Sequence, residues 1–174
     1  MQHNPKETGT APPRIEPTGF FTGVQIRPVI VGIVVDYVST QLAMAAFIFG
    51  YLAKELSKQG EMTEEAIARY MQTPEGLAVM LIIGCLGTAL GGFIAARRAG
   101  ALETKHGAFV GLGSLTLSLV QQAMQESSLQ LPEWFNFVSV VAVIPAGALG
   151  GYVAELLSGR SGSVLPQQPI GKRQ

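Results

Sequence analysis

The chain has 174 residues, of which 12 are Lys or Arg and 12 are Asp or Glu, so its formal net charge is zero. Charged residues make up 14% of it, against about 25% in soluble domains, and its single cysteine excludes a disulfide framework. Zero net charge gives no reason to expect nucleic acid as a partner.

Four stretches of the chain are almost free of charged residues. They predict transmembrane helices over about residues 28–53, 76–97, 106–125 and 134–156. Because about 20 helical residues cross a bilayer core ~30 Å thick, every stretch is long enough to span. The third stretch has the lowest share of apolar residues. A chain with three spans and one interfacial helix is therefore the alternative to a four-span chain.

The segments outside these stretches are polar and rich in Pro, Gly, Ser and Gln. Such segments cannot bury enough apolar surface to offset their ordering entropy. We therefore predict an all-α membrane protein, with a four-transmembrane-helix bundle at 27–158, a disordered arm at 1–26 and a disordered tail at 159–174.

The loop between the first two spans is long enough for a helix of its own. Thr63 can cap a helix over about 63–72, and Pro74 marks its end. Ile67, Tyr70 and Met71 fall on one face of it. That face either rests on the membrane surface or bundle rim, or makes the helix a lid or partner-binding element.

The basic residues are distributed unevenly between the two sides of a four-span chain. Nine lie on the side of the termini: Lys6, Arg14, Arg27, Arg97, Arg98, Lys105, Arg160, Lys172 and Arg173. Three lie on the other side: Lys54, Lys58 and Arg69. The positive-inside rule then predicts a multi-pass protein of the cell (inner) membrane with both termini in the cytoplasm.

The second and fourth spans share a sequence pattern. Residues 87–95 match residues 146–154 through the shared core Ala-Leu-Gly-Gly-aromatic-aliphatic-Ala, offset by 59 positions. The first and third spans match more weakly, through Val31-Gly32 and Val110-Gly111. The pattern predicts two repeated helical hairpins of the same orientation.

Small residues recur at helical spacing along each span. The glycines predicted to form helix contacts are Gly84, Gly87, Gly91, Gly107, Gly111, Gly147, Gly150 and Gly151. Helices in lipid associate through close approach of their backbones at such positions. These glycines serve either packing within the bundle or, as small-xxx-small pairs, contact with a second copy.

Asp36 is the one formal charge inside a predicted span. Its spacing from Gly32 places it on a small-residue face that points inward, where hydroxyls can meet it. The candidate partners are Ser39, Thr40, Ser114 and Ser118. An acid at this depth is either a neutral carboxyl that links the first and third spans or a proton or ion site.

A basic cluster follows the second span and includes Arg97, Arg98, Lys105 and His106. We expect these residues to set topology and to contact anionic lipid headgroups. His106 has no companion at metal-ligand spacing, so no metal site is predicted. The sequence also contains no catalytic arrangement and no cofactor motif, which predicts a protein that is not an enzyme.

Two motifs flank this cluster: Gly91-Gly-Phe-Ile-Ala-Ala-Arg97-Arg98 and His106-Gly-Ala-Phe-Val-Gly111. Here the chain resembles a group of small bacterial four-span integral membrane proteins, in which Gly-Gly-aromatic-aliphatic-Ala-Ala-Arg precedes His-Gly-x-x-x-Gly. The resemblance covers about residues 28–155. It implies the four-span fold and assigns neither an activity nor a site residue.

Two functions fit these features. One is a non-catalytic membrane protein whose packed bundle is a scaffold or assembly partner, as a homo-oligomer or a subunit of a membrane complex. The other is a small proton- or cation-linked transporter or channel that uses Asp36. A hydrated cavity that reaches Asp36 favours the second, whereas a carboxyl sealed among Ser and Gly backbones favours the first.

Overall fold

The computed structural model describes residues 21–58, 60, 63–124 and 131–159, and its regular elements are all helices. They are α1 (Ile26–Phe47), a π-helical turn (Ile48–Leu52), α2 (Ala53–Lys58), α3 (Glu64–Met71), α4 (Pro74–Ala99), α5 (Glu103–Met124) and α6 (Glu133–Leu157). The predicted all-α class is thereby confirmed for the described residues. Most of the predicted disordered arm and tail, residues 1–20 and 160–174, lies outside them.

Within the described residues, three helical stretches are long and apolar enough to cross a membrane: Ile26–Lys58, Pro74–Ala99 and Glu133–Leu157. They indicate a membrane protein. The 22 residues of α5 extend about 33 Å, but hydroxyl and amide side chains lower its hydropathy. The fourth span therefore stays a prediction at this point.

The first helical stretch continues beyond its predicted end at residue 53. The π-helical turn joins α1 to α2, so the helix runs without a break from Ile26 to Lys58. Leu52 and Leu56 of this extension pack with Ala66 and Met71 of α3. The apolar face of α3 is thus covered by the extension of α1.

Threonine hydroxyls define the beginnings of α3 and α4. Thr63 accepts the N–H of Ala66 at 3.2 Å, and Thr73 accepts the N–H of Gly76 at 3.1 Å. Pro74 occupies the first turn of α4, where a missing N–H costs nothing. It therefore begins α4 and does not end α3, which stops earlier at Met71.

The four long helices pack together in antiparallel hairpins. α4 contacts α1, α5 and α6, and α5 contacts α6 extensively and α1 over a shorter length. We call the end that carries Arg27, Arg97, Arg98 and Lys105 the basic end, and the end that carries Glu75 and Glu133 the acidic end. α1 and α5 begin at the basic end, whereas α4 and α6 finish there.

Paired glycines form the contacts between neighbouring helices. Gly91 faces Gly32 of α1, and Gly92 faces Gly147 of α6. In α6 the order is reversed, because Gly150 faces α4 while Gly151 faces the α5 partner of its own hairpin. Corresponding glycines of the two matching segments therefore contact different neighbouring helices. The repeat of two helical hairpins stays a prediction.

The remaining predicted packing glycines divide into two groups. A Cβ added to Gly107 would lie 2.9 Å from the nitrogen of Gly151, and one added to Gly111 would lie 2.7 Å from the oxygen of Val143. Gly87 and Gly147 are in similarly close contact. Gly84 differs, because an added Cβ would meet no atom within 4 Å. Gly84 provides open space instead of a helix contact.

Candidate functional site

Asp36 lies near the middle of α1, buried against α4 with 6% of its surface exposed. It follows Ile26 by ten residues, or about 15 Å of helix. Gly87 and Gly91 make room for it: an added Cβ would lie 2.9 Å from Asp36 Oδ1 at Gly87 and 2.9 Å from Asp36 Cβ at Gly91. The glycines thus let the carboxyl rest directly on α4.

Two threonines hold the Asp36 carboxyl. Oδ2 lies 3.0 Å from Thr88 Oγ1, and Oδ1 lies 3.2 Å from Thr40 Oγ1. Thr40 is one turn along α1, whereas Thr88 comes from α4 and has 2% of its surface exposed. The carboxyl is therefore fixed between hydroxyl groups of two helices.

A cavity of about 140 Å³ begins at this carboxyl. Its polar and glycine lining comprises Asp36, Tyr37, Thr40 and Gln41 of α1, Gly84 and Thr88 of α4, and Ser114, Ser118 and Gln121 of α5. Gln41 and Ser118 are exposed, so the cavity reaches the molecular surface. Gln121 lies one turn before the end of α5, so the lining extends toward the acidic end.

Ser114 contributes a hydroxyl that has no hydrogen-bond partner among the described residues. Its surface is only 9% exposed, and it lines the same cavity as Asp36. An unsatisfied buried polar group costs about 1–3 kcal/mol. The cavity is large enough for water, and a water molecule or ion bound there would satisfy this hydroxyl.

The helices close tightly on the other side of Asp36, toward the basic end. A Cβ added to Gly32, one turn before Asp36, would lie 2.7 Å from the Gly91 carbonyl oxygen and 2.8 Å from Ala95 Cβ. Val110 of α5 presses on the same glycine, and its side chain is fully buried. The helices are therefore in close contact on the basic side of Asp36, and the cavity lining extends from Asp36 toward the acidic end.

A second cavity of about 110 Å³ lies between α5 and α6 and shares Ser118 and Val143 with the first. Its polar lining residues are Gln122, Asn136 and Ser139. The two cavities together carry polar groups through the half of the molecule nearer the acidic end.

Four of the five residues predicted for the site line one cavity: Asp36, Thr40, Ser114 and Ser118. Ser39 does not, because its hydroxyl donates to the Asp36 backbone oxygen at 3.1 Å and it lines a separate apolar cavity. Thr88 was not predicted. The sequence did contain one indication: in the pattern offset by 59 residues, Thr88 stands where the matching segment has Gly147, so a hydroxyl replaces a small apolar position.

The residues predicted to contact lipid headgroups occupy different environments. Arg97 and Arg98 are exposed, with the Arg97 guanidinium 5.7 Å from the centroid of the Phe93 ring. Lys105 Nζ donates to the Thr22 backbone oxygen at 3.0 Å. His106 differs from them, because its side chain is fully buried.

No protein-family model, curated protein or solved structure matches this chain. The fold and the site therefore define a class only: over the described residues, a helical protein with three helices that can cross a membrane and a buried carboxyl beside a cavity with hydroxyl and amide side chains in its lining. The resemblance to small four-span bacterial proteins stays an expectation.

Proposed function

We propose that this protein is a four-span integral membrane protein that binds a proton or small cation at Asp36 and moves it across the membrane. One observation carries the proposal: a cavity with hydroxyl and amide side chains in its lining leads from the molecular surface to a buried carboxyl, and it includes a Ser114 hydroxyl without a partner among the described residues. Ionisable groups inside spans are costly and mark ion and proton pathways.

The polar side chains of α5 support its assignment as the fourth span. Ser114, Ser118 and Gln121 line the Asp36 cavity, and Gln122 lines the neighbouring one. These side chains lower the hydropathy of α5 without placing their polar groups wholly against lipid. α5 also packs on α1, α4 and α6. An interfacial helix would not account for both this packing and the polar residues on the cavity side of α5.

The cavity lining extends from Asp36 toward the acidic end, which supports access to the carboxyl from that side. With the basic end in the cytoplasm, as the positive-inside rule predicts, the acidic end faces outward. Transport then requires a second arrangement in which the contacts around Gly32, Gly91 and Val110 separate. Alternating access of this kind commonly arises from the movement of one helical hairpin against another.

Flux measurements on purified protein in liposomes test this function. We expect Asp36→Asn to abolish flux under a proton, sodium or potassium gradient, because the amide carries neither the charge nor the exchangeable proton. Glu133→Gln, which removes an exposed carboxyl at the start of α6, should leave flux unchanged. Wild-type flux from Asp36→Asn, or the absence of flux from the wild-type protein under all three gradients, contradicts the proposal.

Cysteine labelling in whole cells tests the topology separately. Four spans with cytoplasmic termini predict that Ser127→Cys is labelled from outside and Ser161→Cys only after permeabilisation. Three spans with an interfacial α5 predict that residue 127 is protected. Both positions lie outside the described residues, and Cys85 is replaced in both variants.

The second candidate function is a scaffold or assembly partner, favoured by the close glycine contacts among α4, α5 and α6. In that case the Asp36 carboxyl links α1 to α4. The Asp36→Asn protein, purified from native membranes, would then still carry a bound partner protein in a fixed ratio. Asp36→Leu would unfold the protein. Loss of flux from an Asp36→Asn protein of normal stability excludes a purely structural role for the carboxyl.

A further inference from the structure

The Thr88 hydroxyl lies between two oxygen atoms. Its Oγ1 is 3.0 Å from Asp36 Oδ2 and 3.0 Å from the Gly84 backbone oxygen. A hydroxyl has one hydrogen and therefore donates to one of them at a time, and a carbonyl oxygen can only accept. When Thr88 donates to Gly84, its contact with Asp36 requires a hydrogen on the carboxyl.

The same atomic positions therefore fit both protonation states of Asp36. In the ionised state Thr88 donates to Oδ2, and the Gly84 carbonyl keeps its bond within the helix. In the protonated state Oδ2–H donates to Thr88 Oγ1, and the Thr88 hydroxyl turns to donate to Gly84. Only hydrogen positions differ, so a change of state needs no movement of the helices.

We infer that the ion exchanged at this site is a proton, with Thr88 as the positioning residue that serves both states of Asp36. The inference rests on the proposed function and specifies its substrate. A hydronium ion in the cavity gives its proton to Oδ2 and remains as water, and the reverse step returns the proton to cavity water. A water molecule on Ser114 Oγ would complete the path from the cavity to the carboxyl.

The ligands present favour a proton over a metal ion. Hard metal ions in proteins take about six or more oxygen ligands at short distances. Each Asp36 oxygen already faces a threonine hydroxyl, and Ser114 Oγ is the buried side-chain oxygen without a partner among the described residues. A metal ion would need several further oxygen ligands drawn in around the carboxylate, whereas a proton uses the threonine contacts as they stand.

Two other titratable groups lie close to Asp36. Tyr37 of α1 lines the same cavity, and Cys85 of α4 is near enough to interact electrostatically with the carboxylate. The α5 and α6 residues that line the cavity carry no titratable side chain. Tyr37→Phe and Cys85→Ala variants therefore show whether either group contributes to a measured pH dependence.

Labelling with dicyclohexylcarbodiimide tests the inference, because this reagent requires a protonated carboxyl. The probe is applied to the full-length protein in liposomes over a range of pH, with and without sodium or potassium chloride, and residue 36 is monitored by mass spectrometry. We expect labelling that falls as pH rises and is the same with either salt. Asp36→Asn provides the background.

The outcomes separate this inference from the proposed function. Protection of Asp36 by sodium or potassium at constant pH overturns the proton assignment and leaves a cation site. Labelling that is independent of both pH and salt, together with absent flux, overturns both. A pH-dependent label without flux retains the proton site and rejects transport.

The Thr88 variants test the role of its hydroxyl. We expect Thr88→Val to raise the pH of half-maximal labelling by about one unit, because the hydrogen bond to the ionised carboxylate is stronger than the bond made by the neutral acid, and its loss therefore disfavours the ionised state more. Thr88→Ser should restore the wild-type midpoint. Thr116→Val is the control, because that exposed hydroxyl bonds to its own helix, to the Leu112 oxygen at 3.0 Å. A Thr88→Val protein with an unchanged midpoint rejects the role assigned to this hydroxyl.

Discussion

The backbone N–H of Gln25 donates to Nε2 of His106 at 2.9 Å, across 81 positions of the chain. The other ring nitrogen, Nδ1, lies 3.0 Å from the Leu102 carbonyl oxygen, so Nδ1 carries the hydrogen and Nε2 accepts. Both nitrogens of the buried ring are thereby satisfied. The pair attaches the segment before α1 to α5 and closes the basic end of the molecule.

Loss of the His106 acceptor should destabilise the protein. His106→Leu removes the acceptor of the Gln25 N–H in a part-buried hydrogen bond, and the loss of such a bond costs about 0.5–1.5 kcal/mol. Gln25→Ala is the control, because it removes only an exposed side-chain bond to the Ala99 oxygen. Thermal unfolding in detergent measures both. Equal melting temperatures for His106→Leu and wild type would show that the buried bond contributes nothing.

The same Gly→Ala substitution should have opposite effects at two glycines. At Gly150 an added methyl group meets the Ala89 backbone, including its carbonyl carbon at 2.7 Å, so Gly150→Ala should cost about 1–3 kcal/mol. At Gly84 nothing lies within 4 Å, so the better helix propensity of alanine should stabilise by up to about 1 kcal/mol. Unfolding by denaturant in mixed micelles compares the two. A similar loss from both variants would contradict the described helix contacts.

The positions of the helices could be predicted from the sequence, whereas the contacts between the helices could be predicted only in part. Long uncharged stretches require helices in a membrane, because isolated backbone polar groups are too costly there. Periodicity also brought Asp36 to an inward face. The same periodicity could not separate Gly84 from Gly87, since both are small and one turn apart, yet only Gly87 contacts α1.

The candidate site depended on a partner that comes from another helix. Thr88 belongs to α4, and sequence spacing cannot give the relative rotation of α1 and α4 that brings its hydroxyl to Asp36. His106 shows a similar limit. Its position beside Lys105 suggested a surface role, but the interior acceptor it provides is visible only once Gln25 is placed beside it.

The contact between the extension of α1 and α3 should depend on Leu52. Its side chain is buried among Leu56, Ala66 and Met71, and Leu→Ala at such a position costs about 2–5 kcal/mol. We expect Leu52→Ala to increase amide hydrogen exchange across Glu64–Met71 by an order of magnitude or more. Phe49→Ala, three residues earlier and exposed, should leave that exchange unchanged. Unaltered exchange in Leu52→Ala would mean that α3 does not depend on this cluster.

Access to the cavity should differ sharply between two neighbouring positions of α5. Ser114 lines the Asp36 cavity, whereas Val110, one turn nearer the basic end, is fully buried against Gly32 of α1. In a Cys85→Ala background, we expect Ser114→Cys to react with a small water-soluble thiol reagent and Val110→Cys to react slower by an order of magnitude. Gln121→Cys should react faster than Ser114→Cys, because Gln121 is partly exposed and is the α5 lining residue nearest the acidic end. Protection of Ser114→Cys together with rapid reaction of Val110→Cys would reverse the direction of access, and the carboxyl would then exchange its proton with the cytoplasmic side.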